Sequence, residues 1–157
     1  MFEITPADIA RLGDEQLRTL VGLLCEAELR GRGYSSAAVT WGGNQNAADG
    51  GIDVRVSLPS DKTIDGFIPR LSTGFQVKKQ DMPPSAIAPE MRPKGVPRAV
   101  IQELADSGGA YIIASSEGST ADIALSRRRK AMAEATKDLA NANQLVAGVT
   151  RTEGIAL

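Results

Sequence analysis

The chain has 157 residues, of which 42% are hydrophobic and 24% charged, and its formal net charge is −1. This length and composition suit one globular domain, so we predict a single domain over residues 1–157 with a core of about 14–142. The absence of histidine excludes Ser-His-Asp and Cys-His nucleophiles and most zinc sites.

The first predicted element is a helix that begins after Gly13, with Asp14 as a candidate N-cap. Apolar residues recur there at the spacing of one helix face: Leu17, Leu20, Val21 and Leu24. A glycine at position 31 or 33 ends this helix.

Strands follow the first helix. YSSAAVTWG predicts a short strand over 37–41, GIDVRVSLP predicts a second that ends at Pro59, and GFQVKK predicts a third. The next stretch, QDMPPSAIAPEMRPKGVP, is rich in proline and predicts a long irregular connection.

The rest of the chain alternates helix and strand. RAVIQELADSGG predicts a helix, AYIIASS a strand covered on both faces, STADIALSRRRKAMAEATKDLANA a capped helix, and QLVAGVT a last strand. The predicted fold class is therefore α/β, a mixed sheet flanked by helices in the order α-β-β-β-α-β-α.

Three features bear on location and partners. Cys25 is the one cysteine and cannot form an internal disulfide, which indicates a reducing, cytoplasmic setting. No apolar run reaches the roughly 18 residues of a membrane helix, so we expect no membrane partner. The near-neutral charge means that any nucleic-acid binding has to come from a local patch.

Polar side chains stand out in the second and third predicted strands. Alternation places Ile52, Val54 and Val56 on one face of the second strand, with Asp53 on the other. In the third strand, the same rule directs Gln76 and Lys78 away from the face of Phe75 and Val77.

If these two strands are neighbours, Asp53, Gln76 and Lys78 converge. Asp53 would bind Mg²⁺, Gln76 would supply an oxygen ligand, and Lys78 would position the attacking water or stabilise charge in phosphodiester cleavage. The alternative is a cross-strand ion pair between Asp53 and Lys78 on a solvated face, which contributes little.

Glu28 is a further acidic candidate. At about 100° per residue it lies roughly 20° from Leu17 around the helix, on the apolar face, where a carboxylate usually has a partner or a metal. The alternative is exposure at the helix end, or an ion pair with an arginine.

DGGIDVRV followed by GFQVKK resembles the G-[IV]-D … Q-x-K signature of the PD-(D/E)XK nuclease superfamily, in particular its Mrr-like restriction endonuclease branch. The resemblance covers roughly residues 14–129. It implies a restriction-endonuclease-like fold with Asp53 as the metal-binding aspartate and Lys78 as the catalytic lysine. Gln76 matches the position that is Asp or Glu in the general pattern, and Glu28 resembles the helix acid. Mrr-like helices often carry that acid nearer the helix start, where this chain has Leu17 and Arg18.

The resemblance implies a Mg²⁺-dependent DNA endonuclease, with Mn²⁺ able to substitute, in restriction or anti-phage defence. We expect the ion against Asp53, with the carbonyl oxygen of Val77 or Gln76 as second ligand, and no intrinsic zinc. Candidate DNA contacts flank the site: Lys79, Arg92, Lys94 and Arg98. The basic run at 127–130 is a weaker candidate, because such runs are usually solvated.

The sequence is compatible with several kinds of protein partner. A homodimer and a C-terminal sensor domain or partner protein are expectations from the resemblance. The alternative to an enzyme is a catalytically inactive nuclease-like module that binds DNA or protein within a larger defence assembly. A third possibility is a structural module of such an assembly.

Overall fold

The computed structural model describes residues 3–41 and 52–142. The helices are α1 (Pro6–Ala10), α2 (Asp14–Gly31), α3 (Pro84–Met91), α4 (Ala99–Asp106) and α5 (Asp122–Thr136). The strands are β1 (Val39–Trp41), β2 (Val54–Ser57), β3 (Ser72–Lys78) and β4 (Ala110–Ser115). The prediction of an α/β fold with a mixed sheet flanked by helices is confirmed. The predicted last strand, QLVAGVT, lies outside the described residues.

The four strands form one sheet in the order β1-β2-β3-β4. The β1–β2 and β2–β3 pairs are antiparallel, whereas β4 runs parallel to β3. A parallel neighbour requires a crossover connection, and α3 and α4 lie in that crossover. The second and third strands are neighbours, which is the condition for their polar residues to converge, and Val54 lies opposite Phe75.

Helix α2 covers one face of the sheet. Its buried apolar side chains lie at intervals of one helical turn: Leu17, Val21, Cys25 and Leu29. They form one hydrophobic cluster with Val54, Val56, Phe75 and Val77 from β2 and β3. Gly22 allows α2 to approach β1, because a Cβ at this position would overlap the ring of Trp41.

Helices α3, α4 and α5 cover the opposite face. Their buried side chains form a second cluster with Tyr111 and Ile113 of β4; among them are Ile87, Ile101, Leu104 and Met132. Every residue of β4 is buried, which confirms the prediction of a strand covered on both sides. The sheet is therefore a middle layer between two apolar cores.

Two helices depart from the sequence prediction. Helix α1 precedes the predicted first helix, and α3 occupies part of the stretch predicted to be irregular, so that prediction is wrong at Pro84–Met91. Pro84 stands at the first helical position, where its missing N–H loses no helical hydrogen bond. Within the described ranges, no helix is long and apolar enough to cross a membrane.

Candidate functional site

Asp53 lies immediately before β2, beside the middle of β3. Its backbone N–H donates to the carbonyl oxygen of Phe75 at 2.8 Å, so the residue is held in the ladder. Its side chain turns toward the next residues of β3, and the N–H of Val77 donates to Asp53 Oδ2 at 2.7 Å. Only 11% of the side chain is exposed, so the carboxylate is fixed in a largely dry position.

The alternation predicted for 52–56 fails at its first residue. Val54 and Val56 belong to the cluster under α2, whereas Ile52 packs on the opposite side, against Gly74 and near Leu104. The chain bends at Asp53, which changes the face that Ile52 reaches. Asp53 therefore lies at the junction between the two faces of the sheet rather than regularly on one of them.

Gln76 and Lys78 occupy the face covered by α3, α4 and α5. Gln76 is 8% exposed, and its Oε1 is a buried acceptor with no hydrogen-bond partner among the described residues. Lys78 Nζ lies 3.1 Å from Glu90 Oε1 of α3, with 19% of the lysine side chain exposed. Most buried acceptors are satisfied, so the oxygen of Gln76 is available to a further partner such as a water or a cation.

Glu90 is a site residue that sequence reasoning missed. Its carboxylate pairs with Lys78 and also with Arg98, whose Nη2 lies 3.3 Å from the same Oε1. Arg98 Nε additionally donates to the backbone oxygen of Glu90 at 2.6 Å. The only available signal was that Glu90 is one of two acids in the proline-rich stretch, and recognising its role required the helix α3 to be predicted first.

Arg18 is the second missed residue. It comes from the first turns of α2, and its Nε lies 3.1 Å from Asp53 Oδ1. This nitrogen is buried without a hydrogen-bond partner among the described residues, because its N–H is not directed at the carboxylate. The contact is therefore an ion pair by distance and not a well-formed hydrogen bond.

The pairs observed differ from the predicted Asp53–Lys78 ion pair. Asp53 faces Arg18, and Lys78 faces Glu90. Neither pair is on a solvated sheet face, because helices cover both sides. The alternative of an exposed cross-strand pair is therefore wrong.

The environment disfavours a charged Asp53. Burial raises the pKa of this carboxyl above its ordinary value of 3.8, and the nearby charge of Glu90 adds to the rise. The N–H of Val77 and the positive charges of Arg18 and Lys78 oppose the rise and do not cancel it. A carboxylate in this state gains from a further positive charge, whether a proton or a cation.

Tyr111 adds a second unsatisfied polar group on the same face. Its side chain is fully buried, and its hydroxyl has no hydrogen-bond partner among the described residues. Burial raises the pKa of this phenol, with Glu90 and Asp53 adding to the rise and Arg98 opposing it. Tyr111 therefore stays neutral and lies within electrostatic reach of the site.

Glu28 is not brought to Asp53, and the prediction that it lies there is wrong. Its Oε1 accepts from Arg32 Nε at 2.7 Å, and Arg32 also pairs with Asp65. The buried stripe of α2 runs through Cys25 and Leu29, which leaves Glu28 beside it and about one-third exposed. The alternative of an arginine ion pair near the helix end describes its position.

Three of the four predicted DNA contacts are engaged within the protein. Lys79 Nζ donates to the carbonyl oxygens of Ala10 and Leu12, at 2.9 and 2.6 Å, and thereby holds the end of α1. Arg92 donates to Ala135 and Asp138 at the end of α5, and Arg98 is held by Glu90. Lys94 alone of the four is exposed.

The oxygen donors of the site suit a magnesium ion that takes only a few of its ligands from the protein. Among the described residues there is no group of three or more His, Cys, Asp or Glu that could hold a metal. The donors that are present, the Asp53 carboxylate and the unpaired amide oxygen of Gln76, are hard oxygen ligands. Mg²⁺ is commonly bound through one or two carboxylates, waters and substrate phosphate, so this set fits Mg²⁺ or Mn²⁺ and does not fit zinc. At Val77, the contact with Asp53 is through the N–H, whereas the prediction involved the carbonyl oxygen.

Comparison of the chain with models of protein families, with curated proteins and with solved structures found no match.

Proposed function

We propose that the chain is a Mg²⁺-dependent endonuclease that hydrolyses phosphodiester bonds of DNA, with the restriction-endonuclease-like topology implied by its motif. The observation that carries the proposal is the gathering of three groups at one end of the β2–β3 pair. These are the buried carboxylate of Asp53, the unpaired oxygen of Gln76, and the ammonium group of Lys78. A role in antiviral defence rests on the resemblance alone, and the expected cytoplasmic location rests on the single cysteine, Cys25.

Asp53 and Gln76 would hold the divalent cation. The cation, when bound, would neutralise charge on the phosphate and lower the pKa of a bound water. In the reaction, a water gives up a proton to the solvent and its oxygen forms a bond to phosphorus, the bond to the leaving sugar oxygen breaks, and that oxygen takes up a proton from the solvent.

Lys78 has the role of donor to the reacting oxygens. Its ammonium group can orient the attacking water and offset the negative charge that grows on the phosphoryl oxygens. Glu90 Oε1 forms an ion pair with Lys78 Nζ at 3.1 Å and so restrains its side chain. Because the lysine is 19% exposed, its position is set by this contact rather than by solvent.

A plasmid cleavage assay tests the proposal. The purified chain should nick or linearise plasmid DNA with Mg²⁺ or Mn²⁺ and not with EDTA. Asp53→Asn and Lys78→Ala should each abolish cleavage while the proteins remain folded by circular dichroism. Cleavage that persists in EDTA, or in both variants, contradicts the proposal.

A second candidate is the catalytically inactive nuclease-like module that binds DNA or protein. The Arg18–Asp53 pair favours it, because the protein itself supplies a cation to the one carboxylate at this position. This candidate predicts DNA or protein binding in EDTA, no cleavage with any divalent cation, and binding that survives Lys78→Ala.

A further inference from the structure

We propose that Arg18 is a built-in counter-ion of Asp53, and that a divalent cation binds at Asp53 by displacing it. The inference rests on the proposed function only in taking Asp53 as the metal ligand. It makes Arg18 a residue that sets the metal affinity of the site, and therefore the metal concentration at which the site is loaded.

Both carboxylate oxygens of Asp53 already have partners. Oδ2 accepts from the N–H of Val77 at 2.7 Å, and Oδ1 lies 3.1 Å from Arg18 Nε. A bound Mg²⁺ lies about 2.0–2.1 Å from its oxygen ligands, so an ion on Oδ1 would stand next to the guanidinium. Two positive groups at that separation in a partly buried site repel strongly, so they exclude each other.

The Arg18 contact is the one of the two that can be exchanged. The Val77 N–H belongs to the backbone of β3 and cannot leave. Within the described ranges Arg18 Nε is buried without a hydrogen bond, so the ion pair lacks the geometry that makes buried pairs strongly stabilising. Its side chain is 28% exposed, which gives the guanidinium a path to water along a flexible stem.

The other cations of the site, Lys78 and Arg98, pair with Glu90 and not with Asp53, and Arg98 also donates to the backbone oxygen of Glu90. Among the described residues, the acidic partner of Arg18 is Asp53. Arg18 is therefore the cation whose departure leaves the rest of the site in place.

Calorimetric titration with Mn²⁺ alone, without DNA, tests the inference. Arg18→Gln should bind Mn²⁺ at least about tenfold more tightly than the wild type, because the competing charge is gone. Arg18→Lys keeps the charge and should stay close to the wild type. Arg55→Gln is the matched control, since Arg55 pairs with the exposed Glu103 and should leave Mn²⁺ affinity unchanged. Asp53→Asn should lose the binding in either background.

Stability separates this role from a purely structural one. In EDTA, Arg18→Gln should unfold at a lower temperature than the wild type, and Mn²⁺ should raise its midpoint more than that of the wild type. A structural arginine would give the first effect without the second. Unchanged Mn²⁺ affinity in Arg18→Gln overturns the inference.

An NMR titration of the wild type tests the inference without any variant. In an NMR titration with Mg²⁺, the Arg18 Nε–Hε signal should shift and saturate as the ion replaces the guanidinium. The Arg32 Nε–Hε signal, hydrogen-bonded to Glu28, is the internal control and should not move. A stationary Arg18 signal overturns the inference.

These results are independent of cleavage. Tighter Mn²⁺ binding by Arg18→Gln without any nuclease activity supports the inference and rejects the proposed function. Cleavage by the wild type, with no change in the Mn²⁺ affinity of Arg18→Gln, supports the proposed function and overturns the inference.

Discussion

Asp53 carries a stability cost that its position in the site explains. Burial raises the pKa of its carboxyl above 3.8, so the charged form is less favourable in the folded chain than in the unfolded chain. Below the unfolded pKa the group is protonated in both states and costs nothing. As the pH rises through the folded pKa, the folded state loses stability relative to the unfolded state.

Asp53→Asn should therefore remove this loss. Asparagine is neutral and can still accept from the N–H of Val77, so the variant should be at least as stable as the wild type near neutral pH, although it is inactive. Urea unfolding at several pH values measures the difference. The difference should widen as the pH rises from below 3.8 to neutrality, and a difference that narrows over this range contradicts the assignment.

The adjacent lysines of β3 make a second residue-level prediction. Lys78→Ala should abolish cleavage in the plasmid assay, a loss of about 100-fold or more, which is the usual cost of removing one hydrogen-bond donor to the reacting oxygens. Lys79→Ala should leave the chemistry intact but lower stability by about 1 kcal/mol, because the carbonyls of Ala10 and Leu12 lose a charged donor. Cleavage assays and thermal unfolding on both variants check this.

Equal loss of cleavage in both lysine variants would mean that the assigned roles are wrong. Retained cleavage in Lys78→Ala would place the chemistry elsewhere. The structure changes the role expected for Lys79, from a candidate DNA contact to a residue that fastens α1 to the sheet.

The sequence predicted the strand residues of the site better than its helix residues. The positions of Gln76 and Lys78 follow from the period of two in a regular strand, and β3 is regular throughout. The direction of a side chain on a helix is harder to predict, because each residue turns by about 100° and a small error in placing the buried face changes which residues point to the site. The stripe continues through Cys25 and Leu29, so Glu28 pairs with Arg32 and Arg18 takes the position beside Asp53.

At the scale of elements, α3 shows why the prediction for the proline-rich stretch is wrong. Proline breaks a helix at most positions, yet Pro84 is at the first position of this one, and Pro89 inside it loses one helical hydrogen bond. Burial of Ile87 and Met91 in the second hydrophobic cluster, together with Met132 of α5, stabilises the helix. Tertiary packing overrides local propensity here, and the acid that this helix carries, Glu90, was missed with it.

Helix α2 depends on the close approach of Gly22 to Trp41. A Cβ at position 22 would overlap the indole ring, so Gly22→Ala should lower stability by about 1–3 kcal/mol. Gly31→Ala is the matched control within the same helix, because nothing lies within 4 Å of a Cβ added at that position. The control should be neutral or should stabilise by up to about 1 kcal/mol, through the better helix propensity of alanine.

Chemical denaturation followed by fluorescence measures both glycine variants, since Trp41 is the one tryptophan of the chain. Gly22→Ala should also change the emission of the native state, because the ring has to move. Equal stability of the two variants would mean that α2 and β1 are not packed as described.

At the scale of the whole molecule, buried and half-buried cations link the elements to one another. Arg128 is 7% exposed in its side chain and joins α5 to Asp81 and to the backbone of Ser119. Arg92 joins α3 to the end of α5. Several exposed cations are engaged in ion pairs, namely Arg11, Arg30, Arg32 and Lys137. The other exposed cations of the described residues are Lys94 and three residues of α5: Arg127, Arg129 and Lys130.

DNA binding should therefore depend on Lys94 more than on the other predicted contacts. Lys94 is exposed beyond α3, the helix that carries Glu90, and its backbone has a left-handed φ of 56°. Lys94→Asn removes the charge with a residue that tolerates this φ. If Lys94 contacts a phosphate, the slope of log binding constant against log salt concentration should fall in magnitude by about 0.9.

Lys137→Ala is the control, because Lys137 is exposed and already paired with Glu134. Fluorescence anisotropy with a labelled duplex in EDTA, at several salt concentrations, gives the slopes. An unchanged slope in Lys94→Asn, or an equal fall in Lys137→Ala, would exclude a specific phosphate contact at Lys94.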